Sequence, residues 1–244
     1  MSNTKMEQTE IIMISYFRPN DFRRSIRSIL NNTSEPFHLS IIDNSHGGLD
    51  SELNEYESHE NITIYRNEIN YGKGIGVMKW YNKIMSKSNS KHFISIDADI
   101  EVYQNWLTRL IEARNKITIP FGILAPVIMN NYGDWFIKQK NNLIMHNRKI
   151  HYHLKDEIYY NRYTAGPLLL IDRNFFENIG GYSQNQLYGS DDGKLCKAAA
   201  DNNLFIGIAS NVHVLHLRHD DEEGYQKWKL NNINTDMVHT GYWD

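Results

Sequence analysis

The sequence predicts an α/β protein, a mostly parallel sheet flanked by helices. Two observations carry this. Through the first half, short apolar runs alternate with stretches of helical spacing, the order that parallel strands joined by crossover helices require. Charged and polar residues then follow several of those runs directly, at the strand ends where open parallel sheets bind ligands.

The elements follow in order. IIMISY, Ile11 to Tyr16, is a buried strand by its unbroken apolar run. Pro19 and Asn20-Asp21 turn the chain into a helix that carries Phe22, Ile26, Ile29 and Leu30 on one face. HLSIID, His38 to Asp43, is the second strand, and the loop NSHGG leads to a polar helix near Leu49 to Tyr56. NITIY, Asn61 to Tyr65, is the third strand, and NYGKGIG opens a helix from about Gly74 to Met85. HFISID is a fourth strand, VYQNWLTRLIEARN has helical spacing, and FGILAPVIM, Phe121 to Met129, is a fifth strand. The second half then changes character. A hairpin is expected around Asn141-Asn142, then a strand in YTAGPLLLI and a short glycine-closed helix in DRNFFENIGG. A helix with Asp191 at its N-cap follows in DDGKLCKAAADNN, then strands LFIGIA and NVHVLHL, and a polar, aromatic tail from Asp220. This reads as one domain over 1–244: a nucleotide-sized half to about residue 100, a second half to about 220, and a tail over 221–244.

Composition narrows the classes. With 244 residues, 41 % hydrophobic and 23 % charged, the chain is an ordinary globular protein. A net charge of −3 gives no global drive toward nucleic acid or anionic membranes. One cysteine, Cys196, excludes an internal disulfide and suits a reducing, cytoplasmic setting. The polar start MSNTKMEQTE has no apolar core of a signal peptide, and no apolar run is long enough to span a bilayer.

Asp97 and Asp99 flank Ala98 at the end of the fourth strand. Two carboxylates there repel each other and resist leaving water. Either they form a solvated turn, or they hold a hard divalent cation, Mg²⁺ or Mn²⁺, which prefers oxygen ligands and also binds phosphate. Asp43, Tyr16 and Arg18 fall at neighbouring strand ends and point to the same crevice. Asp191 and Asp192 open a helix, where the dipole stabilises negative charge; a carboxylate fixed there also suits a general base. In NVHVLHL, His216 shares a strand face with Val212 and Val214, and His213 takes the other, so a regular strand offers one metal one histidine. GKGIG has some of the glycines of a dinucleotide loop, but it does not directly follow a strand and its spacing is G-x-G-x-G.

Taken in order, SYFRP, IIDNS, NEINYGKGIG, DAD, GPLLLIDRNFFENIGGY, GSDDGKL and a strand histidine resemble the GT-A fold glycosyltransferases, most closely the large inverting family 2 group, over about Ile11 to His216. The resemblance implies a metal-dependent enzyme, using Mn²⁺ or Mg²⁺, that moves one sugar from a nucleoside-diphosphate sugar, a UDP-sugar, to an acceptor hydroxyl. It implies that Asp43 reads the base and that Tyr16 and Arg18 touch the nucleotide. Asn70, Gly72 and Lys73 would lie along base and ribose. Asp97 would face ribose and metal, with Asp99 and His216 as metal ligands. Gly166 and Pro167 would border the donor sugar and acceptor, Asp191 would contact either, and Asp192 would be the catalytic base. The second half of the chain is then the acceptor side, a smaller antiparallel portion. The acidic motif is Asp-Asp where the family has Glu-Asp, Lys194 stands where a third acid is common, and the second strand ends Asp-Asn-Ser instead of Asp-Asp-Gly-Ser. A charged, aromatic stretch, Arg218 to Lys229, is a candidate lid. The acceptor is open: a glycan, a lipid-linked sugar, a protein or a modified nucleobase. Competing readings are a non-catalytic nucleotide-sugar-binding module of the same fold, a nicotinamide-dependent enzyme through GKGIG, and a retaining transferase.

Overall fold

The computed structural model describes residues 8–16, 18–130, 153–154, 158–160, 164, 166–183 and 191–217. The expected hairpin around Asn141-Asn142, the segment Arg218 to Lys229 and the C-terminal tail lie outside these residues.

Four parallel strands come first in the chain: β1 (Thr9–Ser15), β2 (Phe37–Asp43), β3 (Ile62–Arg66) and β4 (His92–Asp97). The remaining strands are β5 (Ile100–Val102), β6 (Phe121–Asn130), β7 (His153–Leu154), β8 (Ile158–Tyr160), β9 (Leu168–Asp172) and β10 (Phe205–His216). They form one mixed sheet in the order β3-β2-β1-β4-β9-β6-β10-β8-β7, with β5 also paired to β10. β9 runs antiparallel to both β4 and β6, whereas β6 and β10 are parallel. The expected α/β architecture is therefore present, its parallel block first and its antiparallel strands from the second half.

Helices cover both faces, and alternation along the strands decides which residue meets which helix. Ile11 and Met13 of β1 pack on one face with Phe22, Ile26 and Ile29 of α1 (Pro19–Asn32), Leu53 of α2 (Asp50–Asn54), and Trp106, Leu107 and Leu110 of α4 (Trp106–Asn115). Ile12 faces the other way, into a cluster with Tyr81 and Ile84 of α3 (Met78–Met85), Phe175 and Phe176 of α5 (Arg173–Asn178), and Leu195, Cys196 and Ala199 of α6 (Asp191–Asp201). Each large side chain fully buried in these layers stabilises the fold by roughly 1.5–3 kcal/mol. α1 starts where expected, with Pro19 in its first turn. Asp172 caps α5, accepting from Phe175 N at 2.8 Å, and Gly180 and Gly181, at φ +76° and +77°, close it.

Three expectations change. Val102 does not begin a helix; Ile100–Val102 pairs antiparallel with Val214–His216, and α4 starts at Trp106. Asp191 is the first residue of α6 and not the residue before it. The two expected last strands are one, β10, whose register shifts between Ala209 and His213. The shift lies where β10 exchanges its outer neighbour from β8, paired at Gly207–Ala209, to β5, paired at Val214–His216.

Candidate active site

The site builds on the carboxyl ends of the parallel strands. In register, Ser15 of β1 stands beside Asp43 of β2, and Ile14 stands beside Asp97 of β4. The two acids therefore flank β1 at one sheet edge, and Tyr16, half-buried, follows β1 there. Asp43 is 1 % exposed. Its Oδ1 accepts from Ser15 Oγ at 3.2 Å and Ser45 N at 2.9 Å, while its Oδ2 is buried with no hydrogen-bond partner. A buried carboxylate oxygen without a donor is costly, and a water, an ion or a ligand's N–H or O–H would satisfy it.

The loop after β3 is pinned beside it. Asn44 Nδ2 donates to Gly72 O at 3.0 Å, Asn67 Nδ2 to Asn44 Oδ1 at 2.8 Å, and Trp80 Nε1 to Asn67 Oδ1 at 2.7 Å. Asn70 Oδ1 accepts from Gly72 N at 2.8 Å, and Gly72 adopts φ +63°, which glycine takes without strain. Asn70 Nδ2, like Asp43 Oδ2, is buried with no hydrogen-bond partner. Asn44, Asn67 and Trp80 escaped sequence reasoning, although the Asn44 in Asp-Asn-Ser was the visible signal. Gly72 does not directly follow a strand, since Asn67 to Tyr71 separate it from β3, and so the dinucleotide reading loses its structural requirement.

The loop delivers Lys73 into the cleft. Its Nζ lies 3.1 Å from Asp97 Oδ1, 3.2 Å from Asp191 Oδ2 and 3.2 Å from Gly166 O. Burial alone would lower the Lys73 ammonium, but Asp97, Tyr182 and Asp191 around it raise it well above its usual range. Burial pushes the Asp97 carboxyl up to about 6; Lys73 opposes this, and Asp99 and Asp191 add to it. Beneath Lys73 lies a hydroxyl cluster, Ser95 Oγ 3.0 Å from Tyr182 Oη and 3.4 Å from Tyr81 Oη. Tyr182 closes the IGGY stretch and was not singled out as a site residue.

Asp99 meets Arg18 and His216. Arg18 Nη1 is 2.6 Å from Asp99 Oδ2, and His216 Nε2 is 3.1 Å from the same oxygen. The Arg18 guanidinium is buried, also pairs with Asp21 at 2.7 Å and donates to Leu217 O, and its backbone is left-handed at φ 68°. Such a backbone costs of order 1–3 kcal/mol and persists because these partners hold it. Among the described residues, no group of three or more His, Cys, Asp or Glu side chains forms a ready metal cage. Two carboxylates and an imidazole are nonetheless a donor set that suits Mn²⁺ or Mg²⁺. In this arrangement protein cations lie on both carboxylates.

Asp192 stands in the first turn of α6. Its Oδ2 accepts from Gly166 N at 3.0 Å and its Oδ1 from Gly193 N at 2.7 Å, which fixes the carboxylate beside the approach to β9. Pro167 O, on the same approach, accepts from Asp97 N at 2.8 Å and ties it to the end of β4. Cys196, one turn on, is buried, and burial pushes its thiol up to about 12, which disfavours the thiolate.

Residues 10–180 match the family model described as Glycosyl transferase family 2. The chain belongs to glycosyl transferase family 2. Its fold agrees with that membership. GalNAc-T7, in a crystal structure with UDP, GalNAc and Mn²⁺, superposes with TM-score 0.62 at 18 % identity over 88 % of this chain and 44 % of that one. S. aureus TarS 1-349 gives 0.62 at 15 % identity over 86 % and 60 %. The mannosyltransferase PcManGT from Pyrobaculum calidifontis, in complex with GDP-Man and Mn²⁺, gives 0.67 at 16 % identity over 93 % and 61 %. At these identities the likeness shows the fold alone, a GT-A glycosyltransferase fold, and the aligned part is about half to three fifths of those structures. No curated protein sequence matches the chain. Among the described residues, no helix is long and apolar enough to cross a membrane.

Proposed function

We propose that this chain is a metal-dependent, inverting glycosyltransferase that moves one sugar from a nucleoside-diphosphate sugar, a UDP-sugar, to an acceptor hydroxyl. The observation that carries the reading is the meeting of two acid pairs at one cleft. Lys73 spans from Asp97, after β4, to Asp191, at the head of α6, and so the expected donor-side and acceptor-side carboxylates line the same space. The unpartnered Asp43 Oδ2 supports recognition of a base N–H, such as that of uracil. Two of the structures similar in fold hold a nucleotide or nucleotide sugar together with Mn²⁺, which supports the reading.

In this reading Asp43 and the Asn70–Gly72 loop hold the nucleoside. Asp97, Asp99 and His216 would hold a divalent cation, which when bound supplies Lewis-acid stabilisation of the departing diphosphate. Asp192 accepts the proton of the acceptor hydroxyl as that oxygen attacks the anomeric carbon. The new C–O bond forms on the face opposite the breaking bond to the diphosphate, and the configuration inverts. Asp191 and Gly166 flank the sugar.

The test is donor binding and hydrolysis across a panel of nucleotide sugars with Mn²⁺, Mg²⁺ or chelator. One sugar nucleotide should bind in a metal-dependent way that Asp99→Asn abolishes. Asp192→Asn should bind it normally and lose turnover. Asp43→Asn should weaken nucleotide binding by about tenfold, the loss of one buried charge-assisted hydrogen bond. Absence of binding by any nucleotide sugar with either metal sinks the proposal. Binding without turnover by the wild type toward any acceptor or water would mark a non-catalytic module.

A further inference from the structure

Protein cations already sit on Asp97 and Asp99, each shared with a second carboxylate: Lys73 with Asp191 and Arg18 with Asp21. Lys73 sits on Asp97 at 3.1 Å and Arg18 on Asp99 at 2.6 Å. A divalent cation carries the same total charge as those two side chains. Cations cannot share a carboxylate oxygen at contact without strong mutual repulsion, so a metal that takes Asp97 Oδ1 must move Lys73, and one that takes Asp99 Oδ2 must move Arg18. The two differ in how they are tied. Arg18 is anchored away from the pair, by Asp21 and the Leu217 carbonyl, and is 3 % exposed. The Lys73 ammonium lies among Asp97, Asp191 and the Gly166 carbonyl, groups that themselves line the cleft, and its stem is a flexible chain. Acceptors for its protons come from the turn after β4, the head of α6 and the approach to β9.

We propose that Lys73 is the resident counter-ion of the metal-free cleft, a positioning residue that yields Asp97 to the divalent cation and in the same movement releases Asp191 to the donor. This rests on the metal-dependent reading above. Lys73 then links the two sides of the cleft: while it bridges them, the metal ligand Asp97 and the sugar-side Asp191 are both occupied, and one displacement frees both.

Mn²⁺ affinity without nucleotide tests this, read by electron paramagnetic resonance of free Mn²⁺, for wild type, Lys73→Met, Lys73→Gln and Asp99→Asn. Removing the competing charge should tighten Mn²⁺ binding by about tenfold or more, whereas a merely structural lysine would leave it unchanged or weaken it. In chelator, Lys73→Met should melt below wild type, because Asp97 and Asp191 then face each other uncompensated, and Mn²⁺ should raise its Tm more than that of wild type. Lys73→Gln keeps a polar side chain and serves if the methionine variant does not fold. Wild-type binding that Asp99→Asn abolishes, with no gain in either Lys73 variant, overturns the exchange and leaves the metal reading standing. Absence of Mn²⁺ binding by all four proteins overturns both.

Discussion

Glu10 lies on β1, 6 % exposed, where Ser40 Oγ donates to its Oε1 at 2.6 Å. Burial raises its carboxyl from 4.5 to about 7, against the Ser40 hydrogen bond. The folded protein therefore holds this proton more tightly than the unfolded chain does. Below about pH 4.5 both states are protonated and the full stability is present. As pH rises through the window to about 7 the unfolded state ionises first, and stability falls, by of order 3 kcal/mol. Glu10→Gln keeps an acceptor for Ser40 and cannot ionise. Urea unfolding from about pH 5 to about pH 8 should show wild type weakening over that range and the variant staying flatter; equal slopes would refute the assignment. Residues of the candidate site were legible to different depths. The placement of Asp43 and Asp97 at one sheet edge was legible from position, because an acid after an apolar run in a parallel sheet lands at a strand's carboxyl end. The contact of Arg18 with Asp99 was not, because it joins residues far apart in sequence through a left-handed backbone that no local pattern announces.

Elements show the same division. Strands of the parallel block are nearly continuous apolar runs, buried on both faces, and their limits could be read within a residue or two. β5 could not, because three residues, Ile100–Val102, become a strand only through pairing with β10. Nor could the sequence say that β9 inserts antiparallel between β4 and β6. That insertion positions Gly166, just before β9, against α6. A Cβ on Gly166 would lie 2.6 Å from Asp192 Cβ and 3.3 Å from its Oδ2. α6 gives little ground, since Leu195, Cys196 and Ala199 lock it into the core. Gly166→Ala should therefore push the Asp192 carboxylate aside and weaken its hydrogen bond from Gly166 N. A displacement approaching 1 Å at a catalytic base costs about a hundredfold in turnover. The loss should fall on the rate more than on donor affinity, to which Asp43 and the Asn70 loop would contribute most. Single-turnover rates and donor Kd measured together check this, and an unaltered rate would show that Asp192 is not held through Gly166.

The candidate site draws on both halves of the chain. Asp43 and Asp97 come from the first half, Asp192 and His216 from the second, and one sheet runs through both, with β9 between β4 and β6. A cleft built this way should melt as one cooperative unit, because the sheet and its two cores run through both halves and neither half can leave without exposing core it shares with the other. Ligand binding then stabilises everything at once. A nucleotide with Mn²⁺ at a hundred times its dissociation constant adds about 2.7 kcal/mol. For a chain of this size each kcal/mol moves Tm by roughly 2–4 °C, so the transition should rise by about 5–10 °C and stay single. Chelator should remove the metal-dependent share, as should Asp99→Asn, while Asp43→Asn should cut the nucleotide share. Differential scanning calorimetry reads all of these in one series. Two resolved transitions, of which the ligands move one alone, would mean that the halves fold separately and that the cleft belongs to one of them.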